Sequence, residues 1–330
     1  MTKFSLILSL IFTVYLSGIV EAPNSSPLSS AVTQVEEIVI KNQLIGQITK
    51  IHKLGDNRFV VFDRSINAVK IIDHDGIIIK TVTRTGRGPG ESQRIGDIAI
   101  SRSHIYIFDI TNRKLLIFDH QGNYVNEIPH NSTSFHMAGD DRAVYLYDSI
   151  NINIQKNLLS TLDIADQSTD ELPSMPSEFL KRMQIGTSGI NKNLAINGNL
   201  ICYVHPYEGS PICIDTLTKI YSRYRGSLAI FKMPDPASFS NRMDASSISH
   251  LSTGLYSFQT HLIHTVRDYD AENDYLIKLD IRDPNAAGQV YLDDIGIIGV
   301  DSNSGMLYRF EQSNDPDEDI AVVRVYKFNP

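Results

Sequence analysis

Arg58-Phe-Val-Val-Phe-Asp63 and, further along, His104-Ile-Tyr-Ile-Phe-Asp109 decide how this chain folds. Each is followed by a second apolar run, Ala68-Val-Lys-Ile-Ile-Asp73 in one case and Lys114-Leu-Leu-Ile-Phe-Asp119 in the other. Each second run ends in a turn of the form Asp-x-x-Gly, Asp73 to Gly76 and Asp119 to Gly122. Asp63 and Asp109, Asp73 and Asp119, and Gly76 and Gly122 are all separated by 46 residues, so one unit occurs twice. A third run follows each glycine, Ile77 to Thr83 and Tyr124 to Ile128, and a weaker one precedes each unit, Ile48 to Leu54 and Ile95 to Ile100. Every unit therefore reads as four short strands.

Phe59-Val-Val-Phe62 and Ile105-Tyr-Ile-Phe108 offer no polar alternate to face water, so both faces of such strands must be covered. Four-stranded antiparallel meanders that hide both faces do so by stacking around an axis as the blades of a β-propeller. From Glu36 to Pro330 there are roughly 295 residues, and about 46 per blade predicts six blades. The reading is an all-β, six-bladed β-propeller domain over residues 35–330. Ala143 to Asp148 with Leu158 to Ile164 reads as the third blade, Leu194 to Tyr224 as the fourth, Tyr256 to Ile281 as the fifth and Val290 to Phe328 as the sixth. Glu36-Glu-Ile-Val-Ile40 can lie beside Ile320 to Phe328, so that an N-terminal strand closes the last blade and removes its open edge. Two stretches interrupt the pattern. Leu172 to Ile185, with Ser177 ahead of Glu178 to Met183, reads as a short capped helix, and Pro234 to His250 as a long polar insertion.

The N-terminus is of another kind. Lys3 followed by the apolar stretch Phe4 to Val20 reads as a secretory signal over residues 1–22, which sends the protein to the periplasm or outside the cell. Leu16-Ser-Gly18 has the form of a lipobox, yet Ile19 stands where the lipidated Cys must be, so no lipid anchor is expected. Residues 23–34, rich in Ser and Pro, read as a tether without structure.

The 330 residues carry 30 basic and 38 acidic side chains, a net charge of −8 that repels phosphate backbones and leaves nucleic acid an improbable partner. The two cysteines, Cys202 and Cys213, flank a Pro/Gly-bearing turn centred on Tyr207 and Glu208 and fall opposite each other when the hairpin is folded there. Export makes a cross-strand disulfide possible, and two free buried thiols are the other outcome. Two cysteines without paired histidines do not make a zinc site.

Thr85-Gly-Arg-Gly-Pro-Gly-Glu91, then Ile95 to Ile100, Ile105 to Asp109 and Leu115 to Gly122, resembles the NHL-type repeat and the NHL- or TolB-like propellers built from it. More narrowly, it resembles the exported six-bladed β-propeller proteins abundant in Bacteroidetes and related bacteria, which carry Gly-x-Gly-Pro-Gly-Glu between their first blades. The chain departs from that pattern in lacking the lipobox Cys and in having Ser92 after Glu91. The resemblance implies an exported propeller whose relatives mostly have no assigned activity. It also implies a rival, since NHL-like propellers are similar to lyases and lactonases that hold a metal in the central channel.

Gly86 to Gly90 lies between strands and lacks the helix and the Lys-Ser/Thr that a phosphate loop requires, so it reads as a connector between blades. Arg84, Arg87, Glu91, Arg94 and Asp97 surround it and form the leading candidate site, placed at the channel mouth; the bland reading of the cluster is an Arg–Glu ion pair bracing two blades. His205 and Tyr207, on the cysteine hairpin, are placed to face a partner. Asp73-His-Asp75-Gly76 reads as an Asx-type turn and not a calcium loop, because its counterpart at Asp119 has lost a carboxylate. His261 and His264 with Asp268 and Asp270 form the densest group of ligating types, but residues 261 and 264 point to opposite faces of a strand. No nucleophile elbow and no metal spacing is present, so no catalytic residue and no cofactor is assigned. The expected function is a non-catalytic binding scaffold, monomeric, that recognises an envelope protein, peptide or glycan through one face. The alternative is a metal-dependent lyase or lactonase with its site in the channel.

Overall fold

The computed structural model describes residues 25–41, 45–130, 136–147, 159–172, 193–204, 209–224, 250–301, 304–312 and 320–329. The signal segment, the helix expected after Leu172, the insertion up to His250, and His205 and Tyr207 lie outside the described residues.

The chain enters through β1 (Ser26–Pro27), a single 3-10 turn at Leu28–Ser30, and β2 (Val32–Lys41). The first blade is β3 (Ile48–Lys53), β4 (Phe59–Asp63), β5 (Ala68–Ile72) and β6 (Ile78–Thr81). A connector holding β7 (Arg84–Thr85) and β8 (Glu91–Ser92) leads to the second blade, β9 (Ile95–Ile100), β10 (His104–Asp109), β11 (Lys114–Asp119) and β12 (Tyr124–Pro129). The third comprises β13 (His136–Gly139), β14 (Ala143–Tyr147), β15 (Leu159–Asp163) and β16 (Thr169–Leu172). The fourth comprises β17 (Leu194–Asn197), β18 (Leu200–Tyr203), β19 (Ile212–Asp215) and β20 (Tyr221–Arg223). In the fifth are β21 (His250–Phe258), β22 (His261–Asp268), β23 (Asn273–Asp280) and β24 (Gln289–Leu292). The sixth joins β25 (Ile297–Val300), β26 (Leu307–Gln312) and β27 (Ile320–Phe328) to β2. The six blades are four-stranded and antiparallel, with β1 added in parallel to the outer edge of the fifth. The inner strands follow one another around the axis, β9 beside β13, β13 beside β17, β17 beside β21, β21 beside β25 and β25 beside β3.

The apolar pattern of β4 and β10 follows from this stacking. Side chains alternate across a strand, so Phe59 and Val61 enter a cluster with Ile38, Ile40, Val323 and Val325 of the sixth blade. Val60 and Phe62, on the other face, meet Ile98, Ile105, Ile107 and Leu116 of the second. Tyr106, Phe108 and Leu115 face the third blade at Met137, Val144 and Leu146 in the same way. Three further clusters join the third blade to the fourth, the fourth to the fifth and the fifth to the sixth, so the core is a ring of interfaces between blades.

The repeating landmarks are hydrogen-bond devices. Asp63 ends β4 by accepting the amides of Gly46 (2.7 Å) and Gln47 (3.1 Å), which fastens the chain just before β3. Asp109 does the same for Gln93 (2.8 Å) and Arg94 ahead of β9. Asp73 accepts the amides of Asp75 and Ile77, Asp119 those of Gln121 and Asn123, and Gly76 (φ 79°) and Gly122 (φ 72°) take the left-handed conformation these turns need.

Three boundaries differ from the sequence reading. Val290 belongs to β24, the outer strand of the fifth blade, and the sixth begins at Ile297; an apolar run alone cannot tell the outer strand of one blade from the inner strand of the next. The fifth blade starts at His250, ahead of Tyr256. The segment read as a tether is built into the ring from Ser26 onward: β1 pairs in parallel with β24, Leu28 is fully buried and β2 begins at Val32. Leu28 and Val32 are the buried apolar residues that anchor this otherwise small and polar stretch.

Candidate functional site

Six inner strands converge on a cavity of about 600 Å³ along the axis. That is the size of a small-ligand site. Ile51, Ile98, Ala138, Ala195, Leu255 and Val300, one from each inner strand, supply the apolar part of its wall, and His52, Tyr256 and Ser257 add polar groups to it. Its rim is formed where the inner strands end, by Ser101 and Arg102 after β9 and by Asp140, Asp141 and Arg142 after β13. The rim thus carries both signs of charge over a shaft of mixed polarity.

Lys50, deeper on β3, also lines the cavity, and its ammonium is already engaged. Lys50 Nζ lies 2.6 Å from the Asp97 carboxylate and donates to Ile98 O at 3.0 Å. Asp97 in turn accepts the Met137 amide at 2.7 Å, so one buried ion pair bridges the first, second and third blades. Burial pushes the Asp97 carboxyl above the usual carboxylate range, against the opposing pull of the Lys50 charge. Across the axis Tyr256 donates to Ile298 O at 3.2 Å, and burial with the nearby Asp293 and Asp97 charges drives its phenol pKa up.

The sequence-selected cluster is divided by the fold. Asp97 sits at the axis, but Arg84, Arg87 and Arg94 stand exposed on the connector and do not line the cavity. Among the described residues no arginine pairs with Glu91; its carboxylate accepts the Gly88 amide at 2.8 Å and folds the connector on itself. A Cβ at Gly86 would lie 2.0 Å from the Glu91 carboxylate, which explains the glycine there. Asn112 donates to Gly86 O (3.1 Å) and Lys114 to Gly88 O (3.0 Å), so the second blade braces the connector from beneath.

Cys202 and Cys213 are directly opposed on β18 and β19 and joined by a disulfide, with Cα atoms 4.0 Å apart. His264 is fully buried, with Nε2 2.9 Å from Ser252 Oγ, and burial lowers its pKa to about 3. His261 lies on the same strand and, like Asp268 and Asp270, does not join it: among the described residues no three His, Cys, Asp or Glu side chains come together as a metal-binding group. The cavity itself escaped the sequence, because its wall is drawn from six strands far apart in the chain.

Residues 39–212 match the model of a family described as a six-bladed β-propeller. No curated protein matches the chain. Among solved structures, a Bacteroides fragilis protein described as exported is similar with a TM-score of 0.65 at 11% identity, covering 91% of this chain and 96% of that one. A DUF4221 protein of Bacteroides vulgatus follows with a TM-score of 0.57 at 11% identity, over 91% and 99% of the two chains. The virginiamycin B lyase of Staphylococcus aureus is more distant, with a TM-score of 0.50 at 12% identity over 87% and 83%. At these identities the likeness is one of fold. No helix among the described residues is long and apolar enough to cross a membrane.

Proposed function

The chain belongs to the DUF5128 family of six-bladed β-propellers, and from the axial cavity that the fold builds here we propose that it is a non-catalytic binding scaffold working outside the cytoplasm. Its ligand is a segment of an envelope protein, a peptide or a glycan end, received through the face on which the inner strands finish. The observation that carries this reading is the cavity itself, a shaft of about 600 Å³ with both apolar and polar wall residues under a rim of Arg102, Asp140, Asp141 and Arg142. Such a site offers shape and contact area to a ligand with both apolar and charged parts. The ionic groups at its base, Lys50 and Asp97, satisfy each other and hold three blades together, which suits a frame better than a proton-transfer pair. The apolar leader from Phe4 to Val20 supports export, and the disulfide suits an oxidising compartment.

Thermal denaturation of the purified protein with a panel of peptides and oligosaccharides tests the reading. A ligand at a hundred times its Kd stabilises by about 2.7 kcal/mol. Ala138→Trp, which fills the shaft from the wall of β13, is expected to abolish that shift while leaving the circular dichroism unchanged. A stoichiometric metal that raises Tm and is lost on Asp97→Asn would instead establish a metal-centred channel.

A further inference from the structure

Five arginines stand exposed on a different surface: Arg64 in the turn after β4, Arg84 and Arg87 on the connector, Arg94 at the entry to β9, and Arg113 in the turn after β10. Hydrogen bonds stitch these segments into one platform. Asn67, in the Arg64 turn, accepts from Ile95 N at 2.9 Å and donates to Gln93 O at 3.3 Å. Asp109, just ahead of the Arg113 turn, accepts the amides of Gln93 (2.8 Å) and Arg94 (3.3 Å). Asn112, in that turn, holds the connector at Gly86 O. The acids of the platform are all engaged: Asp63 and Asp109 are fully buried on backbone amides, Glu91 is turned onto Gly88 N, and Glu127 pairs with Lys114 at 2.8 Å. None of the five guanidiniums has an acidic partner among the described residues, in a chain of net charge −8.

We propose that this arginine platform over the first two blades is a second binding site, specific for an acidic polysaccharide. Guanidinium groups pair bidentately with carboxylates and sulfates. A protein partner commonly presents both signs of charge, and its docking surface answers with both. A platform whose unpaired charges are all of one sign, spread over two blades, suits a polymer of one sign. None of the five arginines lines the axial cavity, so the two sites are independent.

Isothermal titration of the full protein with polygalacturonate, heparin, neutral dextran and poly-glutamate of matched length tests the proposal. The expected result is binding of an acidic polysaccharide that weakens as salt rises from 20 to 300 mM. Dextran should not bind, and poly-glutamate should bind at least ten times more weakly. Arg84→Ser/Arg87→Ser/Arg94→Ser is expected to weaken binding at least tenfold with Tm unchanged, and Arg87→Glu alone gives the same direction should the triple variant fold poorly. Ala138→Trp should leave polysaccharide binding intact, which separates this site from the cavity. Three results would each overturn the proposal: no polysaccharide binding at 20 mM salt, binding that both variants leave untouched, or a preference for poly-glutamate, which would point to an acidic protein.

Discussion

At the scale of single residues the buried histidine makes the sharpest statement. His264 is enclosed, bonded to Ser252, and lowered by burial to about 3. In the unfolded chain an imidazole titrates near 6.5, so the unfolded state takes the proton first as the solution is acidified. The stabilisation is complete above that value and is lost progressively as pH falls from about 6.5 toward 3. Between pH 7.5 and pH 5 this group alone should cost on the order of 2 kcal/mol. Urea melts of the native protein should show that slope, and His264→Gln, less stable at pH 7.5, should show a flatter one; parallel slopes would mean the imidazole does not titrate alone. The residues that sequence reading handled well are of the opposite kind. Asp73, Asp119, Gly76 and Gly122 are fixed by local turns, where an acceptor or a left-handed backbone leaves few alternatives. His264 and Lys50 act through partners 12 and 47 residues away, which no local spacing reports.

Strands and turns carry the next layer. The connector after β6 was legible as a connector, but its arginines were placed at the channel mouth because the sequence does not tell whether a connector hugs the axis or the outer edge. Asn112 and Lys114 settle that by gripping Gly86 and Gly88 from the second blade. The inner strands, weakest in the pattern, hold the strongest electrostatics. Lys50→Met should destabilise by roughly 3–5 kcal/mol, because Asp97 would remain buried with its charge uncompensated. Lys50→Met/Asp97→Leu should recover more than half of that loss in chemical denaturation, and a double variant as unstable as the single one would show that the bridge itself, not the uncompensated charge, holds the blades. In β18 and β19, the disulfide closes a loop of sequence separation 11, and Cys202→Ala/Cys213→Ala should lower stability by about 3 kcal/mol. Both cysteines are fully buried, so reductant should act on the native protein only through opening of the fourth blade, at a rate that urea accelerates.

On the scale of the whole molecule the ring is only as strong as its closure. β2 pairs with β27 from Val32 opposite Phe328 to Lys41 opposite Ile320, joining the two ends of the chain. Ile38 and Ile40 carry that strand into the interface between the sixth and first blades. Each contributes about 2 kcal/mol by burial alone. Contacts of such long sequence separation form late, so the ring can close only after Phe328 is available. Ahead of β2, Leu28 and the Ser29 amide, which Asp294 accepts at 3.0 Å, fasten the chain to the fifth blade, and β1 covers the edge of β24. Two truncations separate these contributions. A protein beginning at Val32 keeps the closing strand and loses the Leu28 anchor, and should fold with a deficit of about 2–4 kcal/mol. A protein beginning at Ile45 loses β2, leaves nine residues of β27 as an open edge and uncovers Phe59 and Val61, and should emerge aggregated, without a cooperative melt. Size-exclusion chromatography and denaturant melts of the pair decide the matter. If the shorter protein melts cooperatively as a monomer, the blades are held by neighbour contacts alone and closure is dispensable. If even the longer one fails to fold, the anchor at Leu28 is part of the ring itself.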